Sequence, residues 1–150
     1  MPGRYYEDYE PGLVMRHEPS RTVTETDNLL FCALSMNPQP LHLDAEFAKT
    51  TEHGRQVVNG LFTVALVAGL TVYDTTLGTT AGNLAYTEMT HVAPVFIGDT
   101  LRSETTILSK RESKSRPAWG IVEFEHRGYN QHDELVMRIR RLGMIAKKPA

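Results

Sequence analysis

The sequence predicts an α+β fold in which an antiparallel β-sheet is wrapped around one long central helix. Two features of the 150-residue chain predict it: an apolar segment of helix length in the middle, and four strand-like segments after it. The apolar share of 41% and the charged share of 23% are those of an ordinary globular protein. A chain of this length can bury one core, so we expect a single domain over residues 1–150.

The central segment runs from Val57 to Val72 and is apolar on nearly every face. It is shorter than the roughly 20 residues that a membrane-spanning helix needs. A helix that is apolar all round must be covered by other elements. The segment therefore predicts a long helix buried inside the domain.

The second half of the chain supplies the strands that would cover this helix. Alternating apolar and polar residues predict four of them: Tyr86–Ala93, Thr100–Ser109, Trp119–Arg127 and Leu135–Leu142. Within the last two, the inward positions are Val122, Phe124, Leu135, Met137 and Ile139. A meander of this kind around a central helix is a hot-dog fold.

The charges of the last two strands predict how they pair. A turn centred on residues 131–132 would set Glu125 opposite Arg138. It would also set Glu123 opposite Arg140. Opposite charges at facing positions stabilise such a pair of strands.

The N-terminal half predicts a strand region and a first helix. Residues 13–23 alternate as one or two short strands interrupted at Pro19. Thr24, with Asp27 three residues later, predicts the start of a helix. Helical spacing then places Asn37 on the same apolar face as Leu30, Ala33 and Leu34.

Two prolines end this helix. Because Pro38 and Pro40 interrupt it, we expect residues 41–43 to be extended or to form a turn. Asp44 is then a good cap for a second short helix over residues 45–49.

Composition excludes several function classes. The net charge of −2 gives no basic field for nucleic acid or an anionic membrane. Cys32 is the single cysteine, so an intrachain disulfide is excluded, and no Cys/His cluster indicates a metal site. The polar residues 1–10 lack the layout of a signal peptide, so we expect a cytoplasmic protein.

Two separated blocks of sequence carry a recognisable pattern. The first comprises Phe31–Ser35, Pro40–Asp44, Phe47–Ala48 and Val57–Gly60, and the second is Ala93–Asp99. Together they resemble the hydratase-2 signature of the MaoC-like dehydratases and (R)-specific enoyl-CoA hydratases. The resemblance extends from about Gly12 to Ala146.

That resemblance implies a hot-dog homodimer that adds water reversibly to an enoyl-CoA, with coenzyme A as part of the substrate and no separate cofactor. In the family, an aspartate and a histidine five residues apart activate one water, and a helix-start amide polarises the thioester carbonyl. His42 matches the histidine and Gly60 the glycine of that helix start. Asn37 stands where the family has its aspartate, and an amide can orient a water but cannot accept its proton.

The variant block Met36–His42 resembles a subgroup that acts on short branched or dicarboxylic enoyl-CoAs, such as itaconyl-CoA or mesaconyl-CoA. Gln39 and Asn59 would then contribute to substrate binding. Arg55 is the nearest cation in sequence for a substrate carboxylate.

Other functions and plainer roles stay open. The same fold supports an acyl-CoA thioesterase, or a subunit that binds acyl-CoA or acyl carrier without catalysis. Asn37 could simply form an Asx turn before Pro38. The remaining histidines are expected to be surface or packing residues: His17, His53, His91, His126 and His132.

Overall fold

The computed structural model describes residues 3–149, which form one five-stranded antiparallel sheet with helices on the chain segments between its first two strands. The strands are β1 (Val14–Thr22), β2 (Thr80–His91), β3 (Thr100–Glu112), β4 (Trp119–Tyr129) and β5 (Leu135–Ala146), in the spatial order β1-β3-β4-β5-β2. The helices are α1 (Glu25–Leu34), α2 (Pro40–Leu43), α3 (Ala45–Lys49) and α4 (Gly60–Gly69), preceded by a short 3-10 helix at Tyr6–Asp8.

Helix α4 is the central helix, and it packs against β3, β4 and β5. Gly128 of β4 allows a close approach, because a Cβ there would overlap the side chain of Val67. Ser103 of β3 donates a hydrogen bond to the carbonyl of Val67 at 2.8 Å. The arrangement is the predicted hot-dog fold. Its core beside the helix includes Val58, Val64, Val67, Leu101, Met137 and Ile139.

The central helix is shorter than the predicted span of residues 57–72. Val57 instead forms an isolated β-bridge with Phe96, and the chain continues as turns after Gly69. The helix begins where it does because Asn59 caps it, accepting a hydrogen bond from Leu61 N at 3.0 Å. It is also not covered on every side, since Leu61 is 56% exposed. None of the helices in residues 3–149 has the length and apolar character needed to span a membrane.

The four C-terminal strands form where the alternation predicts them, each extending past its predicted segment at one end. Their inward positions are also confirmed at the buried residues Val122, Phe124, Met137 and Ile139.

The predicted register of the last hairpin is wrong by two residues. Glu125 lies opposite Arg140, with 2.8 Å between Oε2 and Nε, and not opposite Arg138. The cause is the length of the turn, which Asn130 fixes by accepting hydrogen bonds from the backbone N–H groups of residues 132 and 134. A shift of two leaves every side chain on its predicted face, because side chains alternate with a period of two.

The N-terminal half confirms the predicted caps. Thr24 and Asp27 form a capping box at the start of α1. Asp44 caps α3 through hydrogen bonds from Glu46 N and Phe47 N, both at 2.9 Å. Residues 14–22 form one strand, and its register shifts between Arg16 and Ser20, on either side of the proline.

Two predictions about the first helix are wrong. Helix α1 ends at Leu34, and Met36 has a left-handed φ of 54°, so Asn37 lies outside the helix. The predicted apolar face is exposed, with Leu30 at 55% and Leu34 at 77%, whereas Asn28 and Cys32 are buried. Hydrogen bonds of the Asn28 side chain to the His42 carbonyl and the Asn59 N–H hold this face of the helix inward.

The segment after the prolines, expected to be extended or to form a turn, forms a single helical turn. Residues 40–43 form α2 with Pro40 in its first turn. A proline is tolerated there because the first N–H groups of a helix have no intrahelical partner.

Candidate active site

A cavity of about 390 Å³ lies where α2, the start of α4 and the end of β2 meet. Its wall includes His42, Gly60 and Thr63, together with the segment from His91 to Val95. Among residues 3–149, the titratable side chains on this wall are three histidines: His42, His53 and His91. The wall has no carboxylate, lysine or arginine in the described part of the chain, so proton transfer there depends on imidazole.

His42 is held in one tautomer and one orientation. Its Nδ1 lies 2.7 Å from the carbonyl oxygen of Val57. A carbonyl can only accept, so Nδ1 carries the proton and donates it. In the neutral ring, Nε2 then has a free lone pair, and it has no hydrogen-bond partner among the described residues. His42 can therefore take a proton from a water bound in the cavity.

Gly60 begins α4 and lines the same cavity. The next amide, Leu61 N, is used by the Asn59 cap, whereas Gly60 N has no acceptor within residues 3–149. An unpaired N–H at the positive end of a helix stabilises negative charge. The structure thus places a candidate base and a candidate oxyanion donor on one wall.

Asn28, which the sequence analysis did not single out, joins these two groups. It is fully buried, and its Nδ2 donates to the carbonyl of His42 at 2.9 Å. Its Oδ1 accepts from Asn59 N at 2.9 Å, immediately before α4. Gln56 Nε2 donates a second hydrogen bond to the His42 carbonyl at 3.0 Å. In the sequence, Asn28 follows the polar residues Glu25, Thr26 and Asp27 at the start of α1, so nothing local distinguishes it from them.

His91, which was expected to be a surface or packing residue, also belongs to this site. It is the last residue of β2 and is exposed to the cavity. A Cβ on Gly60 would lie 2.9 Å from its Nδ1 and 3.1 Å from its Nε2. The imidazole therefore rests against the backbone that begins α4. His53 also lines the cavity, with its ring edge against Phe96 at a centroid distance of 6.3 Å.

Asn37 lies on a different surface. Its Oδ1 accepts from Gln39 N at 3.1 Å, which is an Asx turn. It lines a separate apolar groove of about 640 Å³ with Leu29, Met36 and Leu43, among others. Neither Asn37 nor the exposed Gln39 is on the wall of the His42 cavity.

The other two predicted binding residues also lie off this wall. Asn59 is buried, and its amide donates to Cys32 Sγ at 3.6 Å while its oxygen caps α4. The guanidinium of Arg55 stacks 3.7 Å above the ring of Phe96 and lines an adjoining cavity of about 440 Å³. The two cavities share Pro94, so Arg55 is next to the site but not on it.

A metal ion has no evident place in this arrangement. Within the described residues, no three His, Cys, Asp or Glu side chains are grouped closely enough to hold one.

Comparison with known proteins identifies relatives that match nearly the whole chain. The sequence model of the family described as MaoC like domain matches residues 8–128 of this chain. Mesaconyl-CoA hydratase of Cereibacter sphaeroides is 38% identical over 146 residues, which cover 97% of this chain and 42% of that protein. The chain thus spans about two fifths of the length of that curated relative.

Solved structures agree with the match. The MaoC-like dehydratase of Rhodospirillum rubrum superimposes with a TM-score of 0.85 at 31% identity, covering 99% of this chain and 100% of that one. A Mycobacterium tuberculosis protein with a double hot-dog fold superimposes with a TM-score of 0.86 at 22% identity, covering 98% of this chain and 45% of that one.

Proposed function

Because the chain belongs to the MaoC-like domain family, we propose that it is an enoyl-CoA hydratase, a carbon–oxygen lyase that adds water reversibly to the double bond of an acyl thioester. The observation that carries the proposal is the shared cavity of His42 and Gly60. The names of the relatives, a mesaconyl-CoA hydratase and a MaoC-like dehydratase, support the same reaction class.

Each group has one task in this proposal. The Nε2 of His42 takes a proton from water as the water oxygen attacks the β-carbon. Negative charge then develops on the thioester oxygen, where the N–H of Gly60 and the dipole of α4 stabilise it. The glycine allows the ligand to approach the backbone closely, because it carries no Cβ.

The catalytic role of Asn37 stays a prediction on which this proposal does not depend. Its carboxamide forms a turn and faces the neighbouring groove. The same holds for Gln39 and Asn59 as substrate-binding residues, since neither lines the cavity.

For the substrate, we propose a short branched or dicarboxylic enoyl-CoA, such as mesaconyl-CoA or itaconyl-CoA. The 38% identity to a mesaconyl-CoA hydratase supports this choice. Arg55, which stacks on Phe96 and lines the adjoining cavity, is the cation that we propose for a second carboxylate. Coenzyme A enters as part of the substrate.

We also propose that the working unit is a homodimer. Strand β2 is an edge of the sheet and pairs with β5 alone, which leaves its other side open to a second copy. Its apolar side chains Leu84, Tyr86 and Met89 are 49%, 47% and 45% exposed. Nucleic acid and membrane are not partners in this proposal, and the cytoplasmic location stays a prediction.

The test is a panel of enoyl-CoAs. Hydration removes the ultraviolet absorbance of the conjugated thioester without releasing thiol, whereas a thioesterase releases free coenzyme A. We expect hydration of mesaconyl-CoA or itaconyl-CoA, and a loss of about 10²- to 10⁴-fold in kcat for His42→Ala. Glu18→Gln, exposed on the opposite edge strand β1, is the control and should keep full activity. Thiol release, or wild-type rates in His42→Ala, would contradict the proposal.

A further inference from the structure

Hydration of an enoyl thioester needs two proton transfers, and the cavity offers one obvious residue for the first. Water loses a proton as it attacks the β-carbon, and the α-carbon then gains one. His42 serves the first transfer. The wall of the cavity carries no carboxylate in the described part of the chain, and Asn37 lies on another groove. A second imidazole on the same wall can supply the proton for the second transfer.

His91 is placed where the second proton is needed. Both of its ring nitrogens lie about 3 Å from the position a Cβ on Gly60 would take, at 2.9 and 3.1 Å. They are thus within about 4 to 5 Å of the backbone that begins α4, given ordinary bond lengths. If the carbonyl oxygen of a thioester is bound at Gly60 N, the α-carbon of the acyl chain is two bonds from that oxygen. The α-carbon is then within reach of the His91 imidazole.

His53 is less well placed for this task. It also lines the cavity, but its ring is packed edge-on against Phe96. Its Nε2 lies 3.8 Å from Glu52 Oε1. Neither contact brings it to the start of α4.

Building on the proposed hydration, we propose that His91 is the catalytic residue that donates a proton to the α-carbon. The Nε2 of His42 accepts a proton from water, the water oxygen bonds to the β-carbon, and the π electrons move into the thioester as an enolate. The enolate then takes a proton from the imidazolium of His91. The product is the 3-hydroxyacyl-CoA, with His42 charged and His91 neutral, and proton exchange with solvent restores the starting state. Dehydration runs the same steps in reverse.

The two histidines must therefore start with opposite protonation. His42 works as a neutral base and His91 as a charged acid, so the rate has an optimum bounded on both sides. The titratable side chain besides these two on the described wall is His53. On the neighbouring strand, His91 lies opposite Met137, which brings no charge. Because His91 is exposed, solvent can reload its proton.

The test compares wild type with His91→Gln and His91→Ala, using Glu18→Gln on the opposite edge strand β1 as the control. We expect a fall in kcat of about 10²-fold or more with KM changed by less than about threefold. In heavy water, exchange of the α-hydrogen of the 3-hydroxyacyl-CoA should slow by a similar factor. The limb of the pH profile that reports loss of the acid should disappear in both variants. Added imidazole should restore part of the rate in His91→Ala, where the side chain leaves space.

The outcomes separate this inference from the proposed function. A wild-type chain that hydrates no enoyl-CoA overturns both. Wild-type hydration with unchanged kcat in the His91 variants overturns the inference alone. A rise in KM for dicarboxylic substrates with normal kcat on crotonyl-CoA would make His91 a substrate anchor instead, and also overturns it. If His91→Ala is poorly folded by circular dichroism, the kcat, exchange and pH measurements on His91→Gln decide.

Discussion

Lowering the pH from about 7.5 to about 5.5 should destabilise the fold by about 1.4 kcal/mol through His126 alone. This residue is fully buried in β4. Its Nε2 lies 2.8 Å from Arg141 Nε, and its Nδ1 lies 2.7 Å from Thr105 Oγ1. An arginine can only donate, so Nε2 must accept and His126 must be neutral in the folded chain.

The rest of the buried row is fixed by the same reasoning. With Nδ1 of His126 donating to Thr105, the threonine hydroxyl donates to Nε2 of His17 at 2.7 Å. His17 then donates from Nδ1 to Asp74 Oδ2 at 2.7 Å. A proton added to His126 would remove the hydrogen bond from Arg141 and place two cations side by side, so protonation of His126 is disfavoured in the folded chain.

The magnitude follows from linkage. Burial lowers the pKa of His126 well below its usual value, and the charge of Arg141 lowers it further. In the unfolded chain the ring returns to a pKa of about 6.5, so below that pH the unfolded state binds a proton that the folded state does not. The stability is full above about pH 6.5 and falls with pH below it, by up to about 1.4 kcal/mol per unit. Integrated between about pH 7.5 and 5.5, the loss is about 1.4 kcal/mol.

The assay is urea unfolding at both pH values for wild type and two variants. His126→Gln keeps an oxygen that can accept from Arg141 but does not titrate. We expect it to lose about 1.4 kcal/mol less than wild type over this pH interval, whatever its absolute stability. His132→Gln should retain the wild-type dependence, because this residue is exposed. An unchanged pH dependence in His126→Gln would refute the reasoning.

Two further predictions concern the site and the assembly. Asn28→Ala should destabilise the fold by about 1 to 3 kcal/mol, because it leaves the buried Asn59 N–H unpaired. It should also lower kcat more than it raises KM, because the His42 backbone loses its hydrogen-bonded connection to the start of α4. If the role of Asn28 is purely structural, the kcat of the folded fraction will be unchanged. Leu84→Lys on the β2 edge should halve the mass measured by light scattering. Val14→Lys on the opposite edge, where the side chain is 53% exposed, should leave the mass unchanged. A wild-type protein that is monomeric would refute the proposed homodimer.

The strands could be predicted because their signal is local. Alternation along β4 and β5 fixes which side chains face inward, whatever the register. The register itself could not be predicted, because the side chain of Asn130 sets the length of the turn by hydrogen bonds to the backbone. The caps Thr24 and Asp44 could be predicted for the same reason, since each side chain accepts a hydrogen bond from a backbone N–H three residues later.

The central helix shows why an apolar run is ambiguous. Val57 and Val58 continue the apolar pattern, yet they lie beside Phe96 and Val95 and do not belong to α4. A short apolar segment fits a buried helix or an extended segment equally well, and periodicity alone does not separate the two. The start of α4 was fixed by the Asn59 cap instead.

The residues of the candidate site also fall into those that a local sequence pattern indicates and those that it does not. His42 and Gly60 could be proposed as site residues from the sequence because each belongs to a compact sequence block. Asn28 and His91 could not, because each acts across the chain: Asn28 on residues 42 and 59, and His91 on residue 60. Contacts between distant segments leave no periodic trace in a single sequence.

The second proton-transfer group that we propose lies on a different element from the position where the family has its aspartate. An acid five residues before His42 would be held by the loop between α1 and α2, whereas His91 is held by β2 and packed on α4. A group on a strand is fixed by the sheet, and β2 is also the edge open to a second copy. Pairing of two copies along that edge would therefore restrain the strand that carries His91, so the oligomeric state and the proton transfer to the α-carbon should depend on each other.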